Sequence, residues 1–226
     1  MMELSIDTAS EVASVALSVE GTLEAEVTWR CRRNHTVELL PTIEQMLARA
    51  GVEKSDISAV FACTGPGMYT GLRVGISTAQ GLARALGAPA LGVGRLELDA
   101  YPHAAFPGVI VAVHRAGRGD LAWASYTGAP WREVSAPRLS KLEELGPALT
   151  ERSLLVGEAD EALLEGVRAG ATVEPAMATP SATVRRAATL AELGFARLSA
   201  GAPGDPALVL PVYLRPPVIG PPKQRA

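Results

Sequence analysis

Hydrophobic spacing divides the chain into alternating strands and helices. Glu3–Asp7 (ELSID) reads as a short strand, and residues 12–19 alternate, with Val15, Leu17 and Val19 on one side. After a tight turn at Glu20-Gly21, the run TLEAEVTW puts Leu23, Ala25, Val27 and Trp29 on one face and Thr22, Glu24, Glu26 and Thr28 on the other. That is a period-two strand, and the first thirty residues predict three antiparallel strands. A helix follows. Asn34 is its cap, Leu39, Leu40, Ile43, Met46, Leu47 and Ala50 form its stripe, Pro41 starts or bends its regular part, and Gly51 ends it.

The stretch from Ala62 to Val93 organises the rest. SAVFAC (58–63) reads as a buried strand. Thr64 to Thr70 (TGPGMYT) cannot continue it, because two glycines and a proline set special backbone angles there. Thr70 is the expected N-cap of a helix from Gly71 to about Leu86, and a second strand ends at Val93. On that helix only Arg73, Ser77, Gln80 and Arg84 form a polar side, so the apolar or small arc spans roughly 200°, wider than one packing face needs. Two neighbours are expected: the parent sheet, and either a second layer of the same domain or another protein. Gly71 and Gly75 lie one turn apart, where another backbone can approach closely.

The second half repeats the order. Tyr101 to Gly108 reads as a linker, Val109 to Val113, Leu121 to Tyr126 and Trp131 to Val134 as strands, Leu139 to Leu149 as a helix, Ser153 to Val156 as a strand and Asp160 to Arg168 as a helix. The pattern β-β-β-α-β-α thus occurs twice without evident residue identity, which predicts an internal duplication and two similar α/β lobes meeting at a cleft. A long helix from about Ser181 to Ser199 follows, then a proline-broken tail in which VLPVYLR (209–215) looks docked and the final PPKQRA looks disordered.

Composition narrows the function classes. Of 226 residues, 48% are apolar, enough for a real core, and the net charge of −3 makes no general case for nucleic-acid or membrane binding. No apolar run reaches the length of a membrane span, and the N-terminus opens into a strand with no visible signal peptide, so a cytoplasmic location is the expectation. Two cysteines, Cys31 and Cys63, are too few for a disulfide framework or a cysteine metal site. The three histidines, His35, His103 and His114, are never three or four apart, so no helix presents a metal pair and a metalloprotease is disfavoured. His35 reads as a helix-start residue and His114 as the end of a strand. Asp7, Thr8 and Ser10, with Gly65, Pro66 and Gly67, are the candidate phosphate or nucleotide loops; the plain turn reading leads, because Ala9 stands where close phosphate approach wants glycine. Arg30, Arg32, Arg33, Arg73, Arg84 and Arg95 are a candidate basic patch for tRNA, or a solvated rim.

SIDTAS followed by VASVALS, HTVELLP (35–41), GPGMYTGLRVGISTAQGLA, PALGVGRLELDA and PVYLR occur in order along nearly the whole chain, and together they resemble the bacterial TsaB (YeaZ) family. The resemblance implies the actin-like, sugar-kinase-like, heat-shock-ATPase fold: two βββαβα lobes, a duplicated RNase H-like α/β architecture. The first lobe is expected over 1–102, carrying the partner surface, and the second over 103–226, with the tail packing back on the first.

The implied role is a non-catalytic scaffold in making threonylcarbamoyladenosine at tRNA position 37. It pairs with a TsaD-like paralogue as a heterodimer, recruits a TsaE-like ATPase, and forms a homodimer when alone. tRNA is met through the complex, no cofactor is bound tightly, and ATP or ADP belongs to the complex. The implied partner surface is the helix after His35 and the helix after Thr70, through His35, Leu39, Leu40, Gly71, Leu72, Arg73, Val74, Gly75, Thr78 and Leu82. A stand-alone nucleotide-binding ATPase or kinase-like protein, and an M22-type glycoprotease, are the alternatives. Two departures stand out: His114-Arg115-Ala116 where the family usually has Asp-Ala-Arg, and Val37 at a commonly acidic position. The first removes a carboxylate from the second phosphate loop and weakens the case for nucleotide hydrolysis.

Overall fold

The computed structural model describes residues 1–32 and 34–215. Arg33 and the terminal PPKQRA lie outside the described residues. The first lobe runs β1 (Met2–Asp7), β2 (Val12–Val19), β3 (Thr22–Arg30), α1 (His35–Ala50), β4 (Ile57–Cys63), α2 (Tyr69–Leu86) and β5 (Ala90–Val93). After α3 (Arg95–Ala100) the second lobe runs β6 (Val109–Arg115), β7 (Asp120–Thr127), β8 (Arg132–Lys141), α4 (Leu142–Ala148), β9 (Ser153–Gly157), α5 (Glu161–Arg168) and β10 (Ala176–Met177). The last helix is α6 (Ala187–Ser199).

The two sheets have one topology. Their strand orders are β3-β2-β1-β4-β5 and β8-β7-β6-β9-β10, so the second reproduces the first position for position. In each, the meander is antiparallel and the last two strands add in parallel. β4, central and parallel, is apolar along nearly its whole length because both its faces are covered. The duplication read from element order is therefore real at the level of topology, and the architecture is an α/β actin-like fold.

Each sheet is packed on both sides, and the third helix of each half serves the other half's sheet. The first sheet is covered by α1 and α2 on one face and by α6 on the other. The second is covered by α4 and α5 on one face and by α3 on the other. β3 shows how the first sheet accepts α6. Ala25, Val27 and Trp29 pack toward the core of the α1 face, as alternation predicts. On the opposite face Glu26 does not simply meet solvent: its Oε1 accepts from Ala188 N at 3.0 Å, and Ser14 Oγ accepts from Ala187 N at 3.0 Å. A carboxylate thus meets the positive end of α6.

Several boundaries differ from the sequence reading, each for a physical reason. α2 begins at Tyr69 with Met68 at its N-cap, not Thr70, because Leu72 N already bonds Met68 O at 2.9 Å. Asn34 stands at the N-cap of α1, but its side chain makes no capping bond. In the α1 stripe Leu39, Ile43, Met46 and Leu47 are buried, whereas Leu40 and Ala50 are exposed. Gly51 closes α1 in the left-handed conformation, with its N–H on Ala48 O and Leu47 O. Residues 139–141 continue β8, paired with Asp120 to Ala122, so α4 is seven residues long and starts at Leu142. The helix expected from Ser181 begins at Ala187; residues 184–186 are extended. Residues 95–100, to which the sequence pattern assigns no element, are helical.

The tail docks on the first lobe. Gln80 Nε2 donates to Pro206 O at 3.0 Å and Val209 O at 3.1 Å, so this residue of the expected polar face of α2 is a clamp. Val212 N donates to Thr64 O at 2.8 Å, and the Tyr213 ring centroid lies 5.4 Å from that of Tyr69.

Candidate functional site

The β1–β2 turn, the loop before α2 and the facing end of the second lobe converge on one cleft of about 510 Å³. Local packing explains its floor. Gly67, Gly71 and Gly75 form a stripe against which Thr8 and Ala9 sit. A Cβ on Gly67 would lie 2.2 Å from Ala9 O, one on Gly71 2.2 Å from Thr8 O, and one on Gly75 2.2 Å from Thr8 Oγ1. Thr8 Oγ1 donates to Gly71 O at 2.8 Å, and Met68 N donates to Ala9 O at 2.9 Å. The close approach read from Gly71 and Gly75 therefore exists, and the approaching backbone is the chain's own.

The candidate phosphate loops are brought together, but their polar groups are already engaged. Asp7 Oδ1 accepts from Ala9 N at 2.9 Å, Ser10 Oγ donates to Val12 O at 2.9 Å, and Gly65 O accepts from Arg95 N at 2.7 Å. Gly65, at φ +97°, takes a backbone conformation suited to glycine, and its peptide bond to Pro66 is cis.

The residues that dominate the cleft form an ionic cluster that no single sequence stretch contains. Asp7, at the end of β1, is buried and pairs with Arg185, whose Nε and Nη2 both donate to the Asp7 carboxylate. Arg185 Nη2 also reaches Ser10 Oγ at 3.2 Å, and its Nη1 reaches Asp99 Oδ1 at 3.3 Å. Asp99 Oδ2 in turn lies 3.4 Å from Arg95 Nε, and Arg95 Nη2 lies 2.5 Å from Glu158 Oε1. His114 Nδ1 stands 2.8 Å from Arg95 Nη1 and 2.9 Å from Glu158 Oε2. A single chain of ionic contacts thus runs from β1 to the β9–α5 loop.

Burial by itself would raise the Asp7 carboxyl, but the Arg185 guanidinium and the Ala9 amide outweigh it and hold Asp7 below the ordinary carboxylate value. Glu158 follows the same pattern: burial opposes its charge, and the His114 hydrogen bond and Arg95 charge lower it further than burial raises it. For Arg185, desolvation is overcome by Asp7 and Asp99, which raise it. Burial pushes the Cys63 thiol up, with Asp7 adding to the effect, so Cys63 is no nucleophile.

His35 is a bracket. Its Nε2 lies 2.8 Å from Ser10 O, and a carbonyl only accepts, so Nε2 carries the proton and points it also toward Cys31 Sγ at 3.0 Å. Donating from that nitrogen, His35 cannot act as a base toward Cys31. Of the implied partner surface, His35, Leu39, Gly71, Leu72 and Gly75 are buried by this chain's own elements; Leu40 and Arg73 are exposed, and Val74, Thr78 and Leu82 are half-buried. The candidate basic patch is described in part, Arg33 lying outside the described residues. Arg95 is buried in the ion chain and Arg30 pairs with Glu11, while Arg32, Arg73 and Arg84 remain exposed. Among the described residues, no group of three or more His, Cys, Asp or Glu is placed to hold a metal ion, and no helix is long and apolar enough to cross a membrane.

Comparison with known proteins agrees with this geometry. The family model described as TsaD, tRNA N6-adenosine threonylcarbamoyltransferase, matches residues 29–151, more than half of the chain. The tRNA threonylcarbamoyladenosine biosynthesis protein TsaB of Escherichia coli is 39% identical over 128 residues, covering 56% of this chain and 55% of that protein. The Bacillus subtilis TsaB is 34% identical over 128 residues, covering 57% and 54%. The chain belongs to the TsaB (YeaZ) family. These sequence matches span about half the length of the TsaB relatives. The structural match to a Pseudomonas aeruginosa protein similar to peptidase YeaZ extends further, with a TM-score of 0.80 at 27% identity over 95% of this chain and 99% of that one. Component A of (R)-2-hydroxyglutaryl-CoA dehydratase from Acidaminococcus fermentans, with a TM-score of 0.50 and 13% identity, shares the fold alone.

Arg185, Asp99 and Glu158 were not singled out in the sequence. They lie 178, 92 and 151 positions from Asp7 (185 − 7, 99 − 7 and 158 − 7), and no spacing rule joins them. Asp99 stands in GRLELDA, where charges alternate with leucines, so its own charge is no distinguishing signal.

Proposed function

We propose that this chain serves tRNA threonylcarbamoyladenosine biosynthesis as a non-catalytic scaffold that pairs with a TsaD-like transferase and, through that pair, engages a TsaE-like ATPase. Family membership supports the pathway. The observation that carries the scaffold role is the apolar outer surface of α1 and α2. Val37 is 71% exposed, Leu40 51% and Tyr69 45%, beside half-buried Val74, Thr78 and Leu82. Apolar side chains grouped on two neighbouring helices suit a protein partner. In the cleft Asp7, Asp99 and Glu158 are held in ion pairs by Arg185 and Arg95, which supports a structural use for these carboxylates. ATP or ADP then belongs to the assembled complex, and tRNA is met there.

The test is size-exclusion chromatography with light scattering on this protein alone and mixed with the TsaD of the same organism. The wild type forms a heterodimer, and the variant Val37→Asp/Leu40→Asp does not, while its circular dichroism stays that of the wild type. Both side chains are exposed, so the change leaves the core intact. A wild type that stays monomeric in the mixture overturns the scaffold reading.

A further inference from the structure

The chain crosses between the lobes on its way to α6, and the crossing has an anchor at each end. On the second lobe, Ala178 N donates to Leu155 O of β9 at 3.0 Å. On the first, Ala187 N donates to Ser14 Oγ at 3.0 Å, and Arg186 Nε reaches Glu26 Oε2 at 2.7 Å. Arg185 sits at the end of this crossing and turns inward. Its side chain is 6% exposed and lies between two carboxylates that are each 2% exposed, Asp7 and Asp99.

Those carboxylates sit on elements that pack on different sheets. Asp7 ends β1 of the first sheet, and Asp99 is on α3, whose Leu96 and Ala100 pack on the second sheet while Leu98 joins the cluster around Phe61 and Cys63. Arg95, on the same helix, extends the contact to Glu158 and His114 of the second lobe. A cation held between acidic groups of two lobes is how a bound metal or charged ligand draws a cleft shut. Here the cation is covalently part of the chain. A guanidinium suits this use, since it stays charged when buried and offers a planar fork of donors.

We infer that Arg185 is a built-in latch: it occupies the cation position between Asp7 and Asp99, holds the two lobes in one closed arrangement without any small molecule, and keeps a divalent cation with its nucleotide out of that position. Removing one partner of a buried ion pair leaves the other uncompensated, so the closed arrangement depends on all three residues.

Spin labels at Glu24→Cys and Glu133→Cys, exposed positions on the outer strands β3 and β8, report the distance between lobes, with Cys31 and Cys63 buried. The full-length protein gives one narrow distance distribution, unchanged by Mg²⁺ with ATP. Arg185→Gln adds a population at longer distance. Because that change strands Asp7, two further variants keep the test decisive. Asp7→Asn/Arg185→Gln removes both charges, and Asp99→Asn removes the arm from Arg185 to α3 together with the Asp99 contact to Arg95; both broaden the distribution in the same sense. If either variant is folded by circular dichroism and retains the wild-type distribution, Arg185 merely neutralises Asp7 and the latch is overturned. A shift of the wild-type distances on adding Mg²⁺ with ATP overturns it as well.

Discussion

The two lobes share a topology but differ in how their outer helices pack. In the first lobe α1 and α2 are 16 and 18 residues long; their counterparts α4 and α5 are 7 and 8. The long pair covers its sheet and still shows apolar side chains outward. The short pair leaves part of its sheet to be closed by other means: the Arg138 guanidinium lies 3.9 Å from the Trp123 ring centroid, beside a hollow of about 170 Å³ that also touches Val111 and Leu149. The two lobes thus share one strand order while the covering helices of the first are about twice as long as those of the second. Sheet topology is what the fold requires; outer helix length is free to follow the task of each lobe.

The sharpest way to break this comparison is to add one methyl group to each lobe's second helix. In α2, Gly71→Ala drives a Cβ to 2.2 Å from the Thr8 carbonyl, which is backbone and cannot yield. The expected loss is about 3 kcal/mol or more by chemical unfolding. In α5, Gly166→Ala meets Leu142 Cδ2 at 2.5 Å, the far end of a flexible side chain, and the loss stays under about 1 kcal/mol. Equal losses would mean that the helices are seated alike in both lobes.

Acid probes the contact between the lobes. Asp7 and Glu158 are both held below their ordinary values of 3.8 and 4.5 in the folded protein. A carboxyl depressed by folding contributes stability above its unfolded pKa and loses it as pH falls through the folded one. Stability is therefore level at neutral pH and declines as pH drops below about 4.5, the ordinary Glu158 value. Asp7→Asn/Arg185→Gln flattens that decline, because the Asp7 share is gone. Unfolding midpoints measured across an acid series check both statements.

The smallest effect is expected at Arg138. Replacing it with alanine removes an exposed cation–π contact worth about 0.5–1 kcal/mol, and the Trp123 emission moves to longer wavelength as water reaches the ring. An unchanged spectrum would mean that the shorter helices shield the ring unaided.

What was legible in the sequence follows the range of the interaction. Period-two alternation in 22–29, the turn residues and the apolar run before Cys63 are local signals, and they carried both lobes and their repeat. The glycine spacing on α2 was legible as a close approach, but which backbone arrives is a tertiary fact. α6 starts later than its sequence suggests: residues 181–183 do turn, in a short 3-10 helix, but the chain then extends and Arg185 is directed inward by Asp7, 178 positions away. Leu139 to Lys141 look like a helix start, whereas pairing with β7 keeps them extended. The ion chain of the cleft was illegible for the same reason: each charge is ordinary in its own neighbourhood.

The exchange of covering helices between the halves has a consequence for synthesis. On the ribosome the first sheet emerges early, yet the helix that covers one of its faces comes last, at 187–199, and that face includes the buried Ala59, Phe61 and Cys63. The newborn first lobe therefore waits with an oily wall uncovered while the chain from 94 to 199 is still being made. Translation delivers about 5–20 residues per second, so the wait lasts several seconds. In that interval the nascent chain is a natural client for a holding chaperone, and a ribosome stalled before codon 187 would release a product that clumps.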